Sequence, residues 1–232
     1  MSSKFSRLDF IRYSALGASA MVLPSTITKA VAAPAKKKNE KEDFINLGFI
    51  GLGQQSLSLL SGMISAVDQV RVVAGADIYD IKRDRFTKRV NDWYAEKGIK
   101  NKFTIYNYPE QLLADPNVDA VVIATPAYAH PFIFEAAVKA HKHVYCEKPL
   151  TRTVYESRLL TKLAAKAGVA TQMGNQGASG EGVNLACEWL WNGEIGEVTK
   201  VEAFTDRPIW PQGLEHPEEV HKIPSTLNWD AF

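Results

Sequence analysis

The stretch Gly51-Leu52-Gly53-Gln54-Gln55-Ser56 follows the apolar run that ends at Ile50 and matches G-x-G-x-x-G at two of three glycines. The first glycine permits a tight turn, and the second lets the backbone approach a pyrophosphate at a helix N-terminus. Ser56 is small enough to stand for the third, whose place is the close packing of helix on strand. Alone such a turn is common. Asp77 strengthens it, because it ends the next apolar run 21 residues after Ser56, where an acidic side chain takes the ribose 2′-hydroxyl of a dinucleotide. A carboxylate there repels a 2′-phosphate, which favours NAD over NADP. A plainer use of Asp77 is to cap the helix starting near Asp80, and Arg83 and Arg85 could offset the repulsion.

Lys148 is the second candidate for chemistry. It sits at the C-terminal end of an apolar run, and in a doubly wound sheet that position projects into the ligand crevice. Beside a positively charged, oxidised nicotinamide its ammonium form is disfavoured. It could then orient a ligand hydroxyl and help move its proton. On spacing alone, a lysine next to Glu147 reads instead as a solvated ion pair. Other residues have plainer readings. His141 and His143 flank a strand start with no acidic or thiol partner at metal-ligand spacing. His216 and His221 lie in a polar loop, and Ser179 follows no nucleophile-elbow turn. Trp189, Trp191, Trp210 and Trp229 read by default as buried packing, and Cys146 and Cys187 as two buried thiols, although two cysteines suffice for one bridge.

The elements that must position these residues alternate from Ile45 onward. Strands are expected at 45–50, 70–76, 103–106, 118–124, 143–146 and 169–173, with helices at 54–66, 80–97, after Pro109, at 130–140 and at 154–167. In the 80–97 helix Ile81, Phe86, Val90 and Trp93 fall at helical spacing. Fully apolar strands separated by helices imply a Rossmann-like, doubly wound parallel sheet covered on both faces. After Gly177 the rhythm changes to a helix at 182–191, a turn at 193–196 and an alternating strand at 198–205. That stretch reads as the start of an incomplete α+β second domain.

Four further motifs occur in order: Val121-Val122-Ile123-Ala124-Thr125-Pro126 followed by His130, then His143-Val144-Tyr145-Cys146-Glu147-Lys148-Pro149-Leu150, then Thr171-Gln172-Met173-Gly174-Asn175-Gln176-Gly177, and Arg207-Pro208-Ile209-Trp210-Pro211-Gln212-Gly213. Together they resemble the exported bacterial branch of the Gfo/Idh/MocA family of oxidoreductases, over roughly Ile45 to Phe232. The resemblance implies NAD as cofactor, with Gly51, Gly53, Gln54, Gln55 and Ser56 around the pyrophosphate and Asp77 on the adenosine ribose. It places Thr125, Pro126 and the loop to His130 along the nicotinamide half, Glu147 and Lys148 beside the nicotinamide ribose, and Asn175 with Gln176 at the edge of cofactor or substrate. Lys148 becomes the acid/base residue. Ala127 stands where relatives commonly have an acidic residue, and Ala178 where a histidine often stands. The family's second domain carries a D-x-x-x-H type motif that does not occur before Phe232, so Leu227-Asn228-Trp229-Asp230 reads as the middle of a longer protein.

The expected activity is hydride transfer between a sugar, polyol or related carbohydrate and NAD. The alternatives are an NAD-dependent glycosidase of the same family and a dinucleotide-binding module without turnover. Charge narrows the partners: residues 1–43 carry +4 and residues 44–232 carry −3, so the folded part is mildly acidic and unsuited to a nucleic-acid backbone. Lys4, Arg7 and Arg12 precede the short apolar stretch Ala15 to Leu23 and the small residues Ala30-Val31-Ala32, the pattern of an export signal. The run is too short to span a membrane, and Pro24 interrupts it. Ser6-Arg7-Leu8-Asp9-Phe10-Ile11-Arg12 resembles a twin-arginine signal with Leu8 in place of the second arginine. The expected organisation is a signal at 1–32, a linker at 33–43, an NAD-binding domain at 44–177 and the start of a substrate domain at 178–232. A periplasmic location and association of copies through the second-domain sheet complete the expectation.

Overall fold

A computed structural model describes residues 44–66, 69–207 and 211–232. The expected signal, the linker and Trp210 lie outside the described residues. From Ile45 strands and helices alternate: β1 (Ile45–Ile50), α1 (Gln54–Ile64), β2 (Val70–Ala76), α2 (Asp80–Glu96), β3 (Thr104–Tyr106), α3 (Pro109–Leu113), β4 (Ala120–Ile123), α4 (His130–Lys139), β5 (His143–Glu147), α5 (Val154–Ala167) and β6 (Thr171–Gly174). The strands form one sheet in the order β3-β2-β1-β4-β5-β6, and every pairing is parallel. The chain winds from β1 out to β3 and then crosses back to β4 on the other side of β1. This is a Rossmann-like doubly wound sheet whose order reverses between β1 and β4, where such folds bind ligands.

Alternation along the central strands splits the core in two. Phe49 and Val122 face α1 and α2, packing with Leu60, Ile64, Phe86, Val90 and Tyr94. Their neighbours Ile50, Val121 and Ile123 face α3, α4 and α5, packing with Leu112, Phe134, Val138 and Leu160. Fully buried side chains of this size each contribute about 1.5–3 kcal/mol through burial. In α2 the buried residues are Phe86, Val90 and Tyr94, whereas Ile81 is 55% exposed. Tyr94 is drawn inward by a specific need. The β1–β2 register slips between Leu47 and Gly48; there the Tyr94 hydroxyl accepts the Val72 N–H at 2.9 Å, while the Asn101 side chain donates to the Val72 carbonyl. Val72 precedes the β2–β3 ladder, which starts at Ala74 and Thr104, so side chains satisfy its backbone groups. Burial pushes the Tyr94 hydroxyl above its ordinary pKa.

Helix α5 starts at a capping box. Thr153 Oγ1 accepts the Glu156 N–H at 3.1 Å, and the Glu156 carboxylate accepts the N–H groups of Thr153 and Arg152. Those donors hold the Glu156 carboxyl below its ordinary pKa. Gly168, with φ 66°, ends the helix in the left-handed region.

Beyond β6 the expectations hold less well. A helix, α6 (Glu181–Trp191), forms, and none of its residues is buried. The strand expected at 198–205 does not form: no regular element is assigned there, with Val201 82% and Phe204 97% exposed. Alternation gives a strand a face but not a ladder, and among the described residues no neighbouring strand takes its N–H and C=O groups. The tryptophans expected to be buried are not: Trp189, Trp191 and Trp229 are all more than half exposed. No described helix is long and apolar enough to cross a membrane.

Candidate functional site

The C-terminal ends of β1, β2 and β4 surround a cavity of about 540 Å3. Gly51, Asp77, Thr125 and Pro126 all line it. Gly51 leaves β1 at φ 81°, and a Cβ there would lie 2.7 Å from the Thr125 backbone nitrogen. Only glycine meets both demands. The N–H of Gly51 donates to the Ala76 carbonyl at 2.9 Å, and the Ser56 hydroxyl, fully buried, donates to the Gly51 carbonyl. Ser56 thus packs where the third glycine would and also ties the turn down. Gly53 is the N-cap of α1 and has no side-chain cap, and a Cβ added to it would meet nothing within 4 Å. Space is thus open beside Gly53, and Gln54 and Gln55 are exposed at the start of α1. That is the geometry of an anion site at a helix N-terminus.

Asp77 holds this turn rather than capping α2. Its Oδ2 accepts the Leu52 N–H at 2.7 Å and its Oδ1 accepts the Tyr79 N–H at 2.9 Å, while Tyr79, the N-cap of α2, has no side-chain cap bond. The carboxylate retains further acceptor capacity toward the cavity. Arg83 donates to the Asp77 carbonyl at 2.6 Å and to the Asp80 carboxylate at 2.5 Å, and Arg85 donates to the Leu52 carbonyl at 3.3 Å. Both arginines are engaged in supporting the turn. Thr125 contributes the opposite kind of signal: its Oγ1 is buried and has no hydrogen-bond partner among the described residues. A buried hydroxyl left unpaired is costly and marks a place where a further partner belongs.

The sequence placed Thr125 to His130 on the nicotinamide half and Asp77 on the adenosine half. In the structure Pro126, Tyr128 and Ala129 line the same cavity as Asp77. His130 does not reach that cavity's surface. Its ring is buried, with Nδ1 2.8 Å from the Pro149 carbonyl oxygen and Nε2 2.9 Å from that of Thr125. Each ring nitrogen lies against a carbonyl oxygen and the imidazole N–H donates to one of them, so His130 packs between the β4 loop and the turn after β5, away from the cavity.

That second turn holds the other candidates. Glu147 ends β5 almost fully buried, with the Gln176 side-chain amide donating to its Oε1 and the Lys148 N–H to its Oε2 at 3.3 Å. Gln176 also donates to the Tyr145 hydroxyl at 3.0 Å. Burial and the Glu147 charge push the Tyr145 hydroxyl above its ordinary pKa. Gly174 must be bare here, because a Cβ would come within 2.6 Å of Glu147 Oε1. Lys148 and Asn175 follow these strand ends and are exposed, and among the described residues no ion pair holds the Lys148 side chain. The pairing with Glu147 that spacing alone suggested is absent. Behind them Cys146 is buried and free, its thiol pushed up to about 12 by burial and by Glu147, and Cys187 is free and half-buried. No group of three metal-ligating side chains occurs among the described residues. Sequence reasoning missed the tyrosines Tyr79 and Tyr108, which follow β2 and β3 and also line the cavity. Their only sequence signal is their place just after a strand.

Comparison with known proteins agrees with the doubly wound fold. The family described as "Oxidoreductase family, NAD-binding Rossmann fold" (GFO_IDH_MocA) matches residues 45–175, more than half of the chain. The chain is 29% identical over 175 residues to a myo-inositol 2-dehydrogenase of Thermotoga maritima, covering 74% of this chain and 48% of that protein. It is 24% identical to the scyllo-inositol 2-dehydrogenase (NAD(+)) of Bacillus subtilis, covering 71% and 45%. Among solved structures, an NAD-binding protein of Listeria innocua superimposes with a TM-score of 0.55 at 30% identity, over 67% of this chain and 41% of that one. A scyllo-inositol dehydrogenase of Lactobacillus casei, with bound NAD(H) and scyllo-inositol, gives 0.59 at 20% identity, over 67% and 43%, and so supports the fold alone. The chain spans about half the length of the curated relatives it matches.

Proposed function

The chain belongs to this GFO_IDH_MocA oxidoreductase family, and on that premise we propose that it binds NAD at the β1/β4 crevice and serves hydride transfer to or from a polyol or sugar. One observation carries the cofactor reading: the bare Gly51 and Gly53 backbone, the Asp77 carboxylate and the unpartnered Thr125 hydroxyl converge at the point where the strand order reverses. A pyrophosphate suits the open space beside Gly53 at the start of α1, and a ribose diol suits Asp77. Arg83 and Arg85 are engaged in supporting the turn and Lys82 also lines the cavity, so the preference for NAD over NADP rests on the repulsion between Asp77 and a 2′-phosphate. Residues 44–177 are the cofactor domain in this reading and 178–232 the beginning of a substrate domain.

Bound NAD would supply the hydride acceptor. The chain's own contribution is positional. Glu147, fixed by Gln176 and by the Lys148 N–H, sets the turn that carries the exposed Lys148, whose side chain does not line the cavity but would reach the crevice with ligand bound. Lys148 Nζ would orient the substrate hydroxyl and, in its neutral form, take the hydroxyl proton as the carbinol C–H bond breaks. His130 acts at one remove, buried between the Thr125 and Pro149 carbonyls, to one of which its N–H donates. Titration of the protein with NAD and with NADP tests the cofactor reading, and NADH formation from inositols and aldoses tests the chemistry. Equal affinity for the two dinucleotides overturns the Asp77 assignment. Inositol is the polyol to try first, because it appears in the names of several relatives.

Residues 1–32 are proposed to direct export to the periplasm, supported by Lys4, Arg7, Arg12 and the small residues at 30–32. Fractionation of producing cells tests this, and retention in the cytoplasm overturns it. Association of copies through the second-domain region is supported by the exposed apolar side chains Trp189, Trp191 and Phe204. Sedimentation of the protein as a monomer at micromolar concentration would count against it.

A further inference from the structure

We propose that residues 224–232 form an outer wall of the adenosine pocket, with Leu227 and Phe232 packing against the adenine ring. This rests on the dinucleotide reading above and adds to it a segment that lies nearly fifty residues beyond β6. Most of the chain after α6 is exposed and irregular, yet this stretch is fastened to the sheet's C-terminal edge at three loops. At the loop after β2, Leu227 bridges Tyr79 in antiparallel fashion, with the Asp80 N–H donating to the Thr226 carbonyl at 3.0 Å and the Asn228 N–H to the Ile78 carbonyl at 3.1 Å. At the loop after β3, the Asn228 side chain donates to the Tyr108 hydroxyl at 2.7 Å. At the loop after β4, the Tyr128 hydroxyl donates to the Phe232 carbonyl, and the two rings meet edge to face at 6.1 Å.

The fastening matters because of what it encloses. Leu227, Ala231 and Phe232 line the same cavity as Gly51, Asp77 and Thr125. The volume of about 540 Å3 lies in the range of small-ligand pockets. With the ribose at Asp77, the neighbouring space under Leu227 and Phe232 falls to the adenine base, which puts Pro126 on the adenosine side and not along the nicotinamide half. Ile78, Pro126 and Ile133 give that space apolar walls, and an aromatic edge beside a purine face is a favourable packing partner. Trp229 stacks on Phe232 at 5.4 Å and 12°, which stiffens the wall from its outer side. The chemistry recognised is an adenine base carried on a ribose phosphate.

Calorimetric titration of the full chain with NAD, AMP and nicotinamide mononucleotide tests this, using the wild type, Leu227→Ala and Phe232→Ala. The wall predicts that each substitution weakens NAD and AMP by a similar factor, of the order of 5- to 20-fold, and leaves nicotinamide mononucleotide unchanged. Hydrogen exchange on the wild type gives a second reading that needs no variant: AMP should slow exchange at the Asp80 and Asn228 amides, which donate across the bridge. Wild-type NAD binding with unchanged or tighter AMP binding in both variants overturns the wall and leaves the dinucleotide site standing. AMP binding that leaves the Asp80 and Asn228 amides unprotected also overturns it. A wild type that binds neither NAD nor AMP overturns the dinucleotide reading and the wall together.

Discussion

Asp77 Oδ2 accepts the backbone N–H of Leu52 at 2.7 Å, so the carboxylate that ends β2 and the glycine turn that ends β1 are one hydrogen-bonded unit. The contact joins two strands that are neighbours in the sheet and 25 residues apart in sequence. It gives Asp77 two tasks, support of the turn and reception of the ribose.

Asp77→Ser should therefore do more than narrow the gap between NAD and NADP. Removing a charge-assisted hydrogen bond costs about 1.5–3 kcal/mol, and here the Leu52 and Tyr79 amides lose their acceptor as well. The expected result is a lower melting temperature together with weaker NAD binding, read by thermal unfolding and by titration. A variant that melts as the wild type does would show that the turn does not depend on this carboxylate.

Thr125→Val separates folding from binding. The buried Thr125 hydroxyl has no partner among the described residues, and an unsatisfied buried group costs about 1–3 kcal/mol. Replacing it with an isosteric methyl should leave stability unchanged or raise it. NAD affinity should fall roughly 2- to 10-fold, the worth of one neutral hydrogen bond. A destabilised variant with full NAD affinity would contradict both halves of the argument.

Lys148→Ala should lower turnover by a factor of about 10²–10⁴, as expected for loss of one positioned acid/base group, with NAD affinity nearly unchanged. The reason is positional, since Lys148 follows β5 while Gly51, Gly53 and Asp77 follow β1 and β2. Steady-state NADH formation and NAD titration measure the two quantities. Loss of NAD binding instead would make the lysine a cofactor-holding residue.

The two thiols should differ sharply. Cys146, buried and with its thiol pushed up to about 12, should resist alkylation at pH 8, while the half-buried Cys187 reacts. The raised value also links to stability. Unfolded thiols ionise near about pH 8.5, so the contribution of the protonated Cys146 is full below that pH and is lost as pH rises toward about 12. Denaturant midpoints from pH 7 to 10 should fall less steeply in Cys146→Ala than in the wild type.

Several parts of this protein were legible in the residues themselves. Apolar runs such as Val121-Val122-Ile123 between amphipathic stretches determine a parallel sheet covered on both faces, because a strand buried on both sides has no polar position to spare. Gly51, Gly53, Ser56 and Asp77 could be placed because a tight turn and a close backbone approach restrict residue type locally. The capping box at Thr153 and Glu156 is equally local. Tertiary structure alone decided the rest. Ile81 was expected to face the core, and Tyr94 does so instead, because the Val72 N–H, ahead of the β2–β3 ladder, takes its hydroxyl as acceptor. Residues 198–205 alternate as a strand should and form none, since a ladder depends on a partner edge that alternation cannot supply. His130 looked like a ligand contact, but its buried ring packs between carbonyls of two different loops. Segment 224–232 shows nothing in its own sequence of where it docks. Its bonds run to Ile78, Asp80, Tyr108 and Tyr128, more than a hundred residues earlier at the nearest. Contacts at that separation are fixed by how the layers stack, and no local preference encodes them.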